Sequence, residues 1–322
     1  MKRDHWRPRI SPPTGLVLPV RVDSSGTIGP TRSQAQTPRW RRVAHGWYVD
    51  AAARPDTVEQ HILEQASRLP PNGAVSGWAS LRWRGAGFFD GLDMAGQRML
   101  PVPLVMGVNG NLRPGPEVEL SWEQLTPAER EMVRSLPCTT VRRSLFDEIR
   151  RAGDVRSGVV AADMAIAAGL ITEEQLGEYV QLRPAWTGVP LVRKVLPLID
   201  GLSVSPQESR LRLVWMLDAG LPRPRVNPTL VSLNGEFLGR PDLLDLESGL
   251  VGEYDGADHL VADRRRIDRA REERFRDHGL ESVVVVRGEL RSPDAVARRI
   301  RSGYQRARTS RRDRRWKVID SP

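Results

Sequence analysis

Apolar positions between residues 205 and 290 switch from helical to extended spacing and back in a fixed order. Leu211, Val214, Trp215 and Met216 form a helical stripe behind Ser205-Pro206-Gln207-Glu208. That start places a hydroxyl at the cap, proline at the first helical position and an acid at the third, which predicts a helix N-terminus. Gly220 ends the stripe, and the Pro-rich link LPRPRVNP leads into strand-like runs up to Asp255. A charged helix from Asp263 to Asp277 follows, closed by Gly279, and then the apolar run Val283–Val286. Such a run predicts a strand in the middle of a sheet covered on both faces. A basic helix comes last. The order helix, strands, helix, strand, helix predicts an α/β class.

Upstream, WRRVAHGWYVD alternates as a strand from Trp40, and TVEQHILEQASRL predicts a helix facing Ile62, Leu63 and Ala66 to a core. AVSGWASLRWRGA continues as a helix, and QRMLPVPLVMGVNGNLRPGPEVEL predicts strands joined by an Asn-Gly turn. From about 126 to 200 the pattern is helical. Thr126-Pro127-Ala128-Glu129 and Thr172-Glu173-Glu174-Gln175 both fit a capping box, Asp154 caps VRSGVVAADMAIAAG, and Gly169 stops it. These helices carry no clustered polar residues and predict scaffold. Residues 1–37, rich in Pro, Ser, Thr and Gly without periodicity, predict a flexible arm.

Composition changes the picture in two places. Cys138 is the single cysteine, which excludes a disulfide framework and a cysteine metal cluster and suits a reducing cytoplasm. No apolar run long enough to span a membrane occurs, and the basic start MKRDHWRPRISPP lacks the apolar segment of a secretory signal. Of the 49 basic residues 46 are arginine, and residues 297–317 hold ten basic side chains against Asp313 alone. That segment accounts for the whole net charge of +9. It either attracts phosphates through counterion release or is the solvated end of a helix.

The stretch GRPDLLDLESGLVGEYDGADH sets Asp242, Asp245, Glu247, Glu253, Asp255 and Asp258 among residues of a buried sheet. With Ser248-Gly249 as a two-residue hairpin turn, Leu244 faces Glu253 and Asp242 faces Asp255. Asp242, Glu253 and Asp255 then share one face, opposite Leu243 and Tyr254. Like charges so close destabilise a sheet unless something neutralises them, and a hard divalent ion taking oxygen ligands is the simple remedy. Asp245, Glu247 and Asp258 sit near turns and are structural. Glu208 belongs either to the capping box or to the site. His259, just beyond the strand, can orient water, act as a base or contact phosphate. His5, His45, His61 and His278 have no metal-ligand spacing.

These same residues carry a resemblance. ESRLRLVWMLDAGLP, GRPDLLDL, VGEYDGADH, the charged helix and SVVVVRGEL, in that order, resemble the very-short-patch-repair-like branch of the PD-(D/E)XK endonucleases. RRVAHGWYVD, AVSGWASLRWRGAGFFDGL and the helices through 200 resemble actinobacterial AbiEi-like antitoxin regions joined to such a domain. The resemblance implies a restriction-endonuclease-like α-β-α core with a central mixed sheet, preceded by an α+β and helical N-terminal region. It divides the chain into a flexible arm (1–37), an AbiEi-like region (38–125), a helical region (126–204), a nuclease-like domain (205–296) and a basic tail (297–322).

It implies Asp242 and Glu253 as principal ligands of Mg²⁺ or Mn²⁺, Asp255 as a further acidic contact, and Glu208 and His259 at the edge of the site. Where the family carries a lysine two residues after the acidic ligand, this chain has Asp255. Arg264, Arg271, Arg298, Arg299, Arg311 and Arg312 are candidates for phosphate contact. The expected activity is metal-dependent hydrolysis of DNA phosphodiesters in defence or repair. The alternative is a non-catalytic DNA-binding antitoxin or regulator that retains the fold. DNA is the expected partner, with room for a toxin or modification partner and a homodimer. No Gly-rich phosphate loop followed by lysine, G-x-S-x-G elbow or H-E-x-x-H pair points to another enzyme class.

Overall fold

A computed structural model describes residues 8–11, 14–53, 57–93, 96–108, 112–256, 262–310 and 313–319, with the side chains of all of these except 262–269. The chain is mixed α/β and divides into two units, residues 1–196 and 197–322. Among the described residues no helix is long and apolar enough to cross a membrane.

In the first unit, β1 (Val20–Arg21), β2 (Trp40–Ala44) and β3 (Trp47–Asp50) form an antiparallel sheet in the order β1-β3-β2, followed by α1 (Val58–Ala66). The arm predicted to be flexible is tied down in part. Val20 and Arg21 pair with Tyr48 and Trp47, and the Gln60 amide on α1 exchanges two 2.9 Å hydrogen bonds with the Val17 backbone.

A second sheet runs in the order β6-β5-β4-β8-β7. Its strands are β4 (Ala74–Val75), β5 (Val102–Val105), β6 (Val118–Ser121), β7 (Arg130–Val133) and β8 (Leu136–Thr139), with α2 (Gly77–Trp83) after β4. Two expectations are corrected here. β5 and β6 run parallel rather than as a hairpin, and the Asn109-Gly110 turn lies outside the described residues. Residues 130–139, predicted helical, are instead the β7–β8 hairpin; Thr126-Pro127 starts only a single 3-10 turn. This sheet therefore joins strands from both sides of the division expected at 126.

Four helices follow, α3 (Val141–Ala152), α4 (Val155–Ala167), α5 (Glu173–Gln181) and α6 (Val189–Val195), of which α4 and α5 start at the caps that predict them. The Ser157 amide donates to Asp154 at 3.0 Å, and Thr172 and Gln175 close their reciprocal box. Clustered polar groups do occur on this scaffold. Arg143 of α3 is fully buried, 2.9 Å from Asp147 and 2.6 Å from Glu123.

The second unit opens with α7 (Pro206–Leu213), which runs into a π-helical turn over Val214–Asp218. Then come β9 (Arg225–Val226), β10 (Thr229–Ser232), β11 (Phe237–Gly239), β12 (Leu243–Leu244), β13 (Leu250–Asp255), α8 (Ala262–Asp277), β14 (Glu281–Val286), α9 (Pro293–Thr309) and β15 (Trp316–Ile319). The larger sheet, in the order β14-β13-β12-β9, is mixed: β13 and β14 run parallel through the α8 crossover, and the other pairs are antiparallel.

Both of its faces are covered. Leu211, Val214 and Trp215 pack with Leu243, Leu250, Val285 and Ile300 of α9 on one side. Leu244 and Val251 pack with Phe275 of α8, Leu280 and the small sheet β11-β10-β15 on the other. Gly252 lacks a side chain for a packing reason, since a Cβ there would lie 3.1 Å from the Trp215 ring. β14 is an end strand among the described residues, not the central one its apolar run predicts, and only Val283 and Val285 are buried in it. The basic segment after 297 is not a tail. α9 buries Val296, Ala297 and Ile300, and β15 pairs with β10 with Trp316 only 2% exposed.

Candidate functional site

The acidic stretch is a hairpin, but its loop is longer than predicted. The Asp245 amide donates to the Leu250 carbonyl at 2.9 Å, closing a four-residue loop over 246–249. Asp245 builds that loop by accepting the Ser248 amide at 2.8 Å and the Ser248 hydroxyl at 2.5 Å, a structural use of an acid near a turn. Leu243 therefore pairs with Gly252 and Leu244 with Val251, two residues away from the register expected. A two-residue shift conserves the pleat, so every side chain keeps its face. Continued by one residue, this register would bring Glu253, rather than Asp255, opposite Asp242.

Asp242 is fully buried, and its Oδ2 accepts the Tyr254 amide at 2.7 Å. Glu253 is 8% exposed, and the Arg271 guanidinium of α8 lies 2.6 Å from its Oε1. The same Arg271 nitrogen donates to the Arg240 carbonyl at 2.9 Å, and the guanidinium stands over the Phe275 ring at 5.4 Å. Asp255, two residues beyond Glu253 on β13, has the same facing and is half-buried. On the opposite face the Tyr254 hydroxyl is held above its usual pKa, chiefly by burial, with Asp255 adding to the rise and Arg287 and Arg210 opposing it. Arg210 is lowered by burial.

Glu208 is fully buried at the start of α7. It accepts the Val204 amide at 3.0 Å, the Ser205 hydroxyl at 3.0 Å and the Asn227 side-chain amide at 2.8 Å. Asn227 is the joint between this helix start and the acidic strands. Its backbone amide donates to the Asp242 carbonyl at 2.9 Å, and its own carbonyl accepts Arg240 Nε at 2.8 Å. The residue sits at φ 51°, in the left-handed region that Asn tolerates better than most residues. Sequence reasoning missed Asn227 and Arg240; an Asn in the turn-forming VNP tripeptide was the available signal.

The predicted arginines separate. Arg299 is committed to Glu289, with Nη1 and Nη2 at 2.9 and 2.7 Å from its two oxygens, and Nη2 also donates to the Val284 carbonyl at 3.0 Å. That pairing raises its pKa. Arg271 likewise serves Glu253. Arg298 is exposed on α9. His259, Arg311 and Arg312 lie outside the described residues, as does the side chain of Arg264.

Among the described residues no group of three or more His, Cys, Asp or Glu could hold a metal ion. What this stretch supplies is two buried carboxylates, Asp242 just before β12 and Glu253 on β13, with half-buried Asp255 two residues further along. A protein cage is thereby excluded among these residues. A pair does fit an Mg²⁺-type site, in which one or two carboxylates are completed by water and substrate phosphate. No protein-family model, curated protein or solved structure matches this chain.

Proposed function

We propose that residues 197–322 form a divalent-cation-dependent DNA endonuclease domain, with Asp242 and Glu253 as the ligands of Mg²⁺ or Mn²⁺ and a restriction-endonuclease-like core as its scaffold. The observation that supports this is the register of β12 against β13, which, continued by one residue, would set buried Asp242 opposite buried Glu253. An apolar pair would fill that position at lower cost, because buried carboxylates need compensation. When bound, the ion would polarise a phosphate and lower the pKa of a water for attack.

The chain's own part is positional. The Tyr254 amide fixes one Asp242 oxygen, and the Asn227 amide holds the carbonyl of the same residue. Glu208 anchors Asn227 and so acts through it rather than on a substrate. The alternative of a non-catalytic DNA-binding regulator draws on a specific observation, the Arg271 charge already beside Glu253.

Plasmid nicking by the full chain in Mg²⁺ or Mn²⁺ tests the first reading against the second. Cleavage that Asp242→Asn and Glu253→Gln abolish supports the nuclease. Cleavage that survives both substitutions removes this site from it. Absence of cleavage with salt-dependent DNA retardation supports the regulator.

A further inference from the structure

We infer that the first unit binds a small organic phosphate with a flat ring, in a pocket where β1, the β2–β3 turn and the end of α1 meet. This pocket is independent of the cation site proposed for the second unit.

The pocket has a volume of about 290 Å³, close to the roughly 300 Å³ at which small-molecule sites begin. Its charged lining is of one sign. Arg21 of β1 and Arg68, two residues past α1, both line it, and no acid does. Neither guanidinium is committed to a carboxylate among the described residues. Arg21 stands over the Trp47 ring at 4.8 Å, and its side chain makes no hydrogen bond or ion pair there. Arg68 uses a single nitrogen, Nη2, which donates to the Val43 carbonyl of β2 at 3.0 Å. Its Nε is buried without a partner, whereas Nη1 is unbonded and not buried. Burial lowers the pKa of Arg68, and the charge of Glu117, which forms no ion pair with it, opposes that.

His45, at the turn, adds a further donor. Arg42 Nη2 lies 3.0 Å from its Nδ1, and a guanidinium can only donate. Nδ1 therefore accepts, and in the neutral ring the hydrogen sits on Nε2.

Charge and shape then select the ligand. A phosphate monoester carries roughly −1.5 to −2 at pH 7, which two unpaired arginines match. A carboxylate or a backbone phosphodiester carries one charge and would leave one guanidinium unmatched. Trp47, Leu69 and Leu112 complete the wall, and an indole beside two leucines suits a flat ring on the ester side.

Calorimetric titration of the full chain with phenyl phosphate and with deoxyadenosine monophosphate, each compared with inorganic phosphate, tests this. At least one of the two esters is expected to bind with a Kd below about 1 mM, and inorganic phosphate about tenfold more weakly. Arg21→Gln, at an exposed position, should weaken the ester about tenfold, the worth of one hydrogen bond to a charged group. Arg21→Lys should recover part of that loss. Arg68→Gln should weaken binding at least as much, its thermal midpoint reporting the lost tie to Val43. Binding of neither ester, or binding indifferent to both Arg21→Gln and Arg68→Gln, overturns the pocket. Inorganic phosphate binding as tightly as the esters overturns the flat-ring ligand. Duplex DNA retardation that Arg21→Gln weakens, with no ester bound, overturns the small-molecule site in favour of a backbone contact.

Discussion

Substitution of Asn227 is the sharpest test of how this unit holds its acidic strands. The side chain donates to Glu208 at 2.8 Å and to the Leu202 carbonyl at 2.9 Å. A hydrogen bond to a charged group contributes about 1.5–3 kcal/mol and a neutral one about 0.5–1.5 kcal/mol. Asn227→Gly removes both while keeping the left-handed backbone free of strain, so it should cost about 2–4 kcal/mol. Asn227→Ala removes the same bonds and keeps a Cβ at φ 51° without the polar side chain that lets Asn tolerate this region, costing about 1 kcal/mol more than glycine. Alanine should therefore be worse than glycine, the reverse of the usual order. Asn227→Asp should be as damaging as alanine at pH 7, because it sets a second carboxylate against buried Glu208. Urea unfolding of the full chain, read by hydrogen exchange in peptides spanning 197–256, isolates the transition of this unit. An Asn227→Ala protein within about 0.5 kcal/mol of wild type, or glycine less stable than alanine, would refute the bridge from Glu208 through Asn227 to Asp242.

Two further outcomes test the scaffold. Trp316→Ala should destabilise the second unit by about 3–5 kcal/mol in urea, the usual cost of emptying a buried Trp site, and a loss below 1 kcal/mol would show that β15 is not docked. In the first unit, Glu123 is held below its ordinary pKa, chiefly by hydrogen bonding from Arg150. Glu129 is also lowered: burial pushes it up, but the Tyr179 hydroxyl, Arg143 and Arg183 outweigh that. Carboxylates depressed on folding stabilise above their unfolded pKa of about 4.3, and that contribution is lost as pH falls through the folded values. Asp147, raised by burial, damps the loss. The urea midpoint should fall below about pH 4.3, and less steeply for Glu129→Gln; superimposable pH profiles would remove this ion cluster as the cause.

Local chemistry was legible in the sequence where it acts within one turn of chain. The caps at Asp154, Thr172 and Ser205 each form the predicted bond, and Gly169 and Gly220 stop their helices at positive φ. The facing of Leu243, Leu244 and the residues of β13 was legible because the pleat has a period of two and the register moved by two. The loop length was not, since a side chain, Asp245, closes that turn. The β7–β8 hairpin was hidden for a related reason. Its two turn residues, Arg134 and Ser135, take left-handed φ of 47° and 64° without the Asn or Gly that announces such turns. Val283–Val286 misled because an apolar run does not distinguish a central strand from an end strand. The Arg271–Glu253 pair joins residues eighteen positions apart, on elements whose mutual placement no local pattern encodes.

The two faces of β13 explain why a core strand ends in acids. Toward α7 it presents Leu250, Gly252 and Tyr254, and the Trp215 ring fills the space over Gly252. Toward α8 it presents Val251, then Glu253 and Asp255, so this face turns from apolar to acidic partway along. α8 is matched to that change. Phe275 packs in the core with Val251, and Arg271, one turn earlier on the same side of the helix, meets Glu253. A helix placed only to cover the sheet would continue the apolar stripe at position 271. An arginine there offsets the charge of a nearly buried carboxylate, from the helix that directly follows the acidic strand. The energetic cost of burying Asp242 and Glu253 is concentrated at the end of a parallel strand, beside the partly exposed side chain of Arg271.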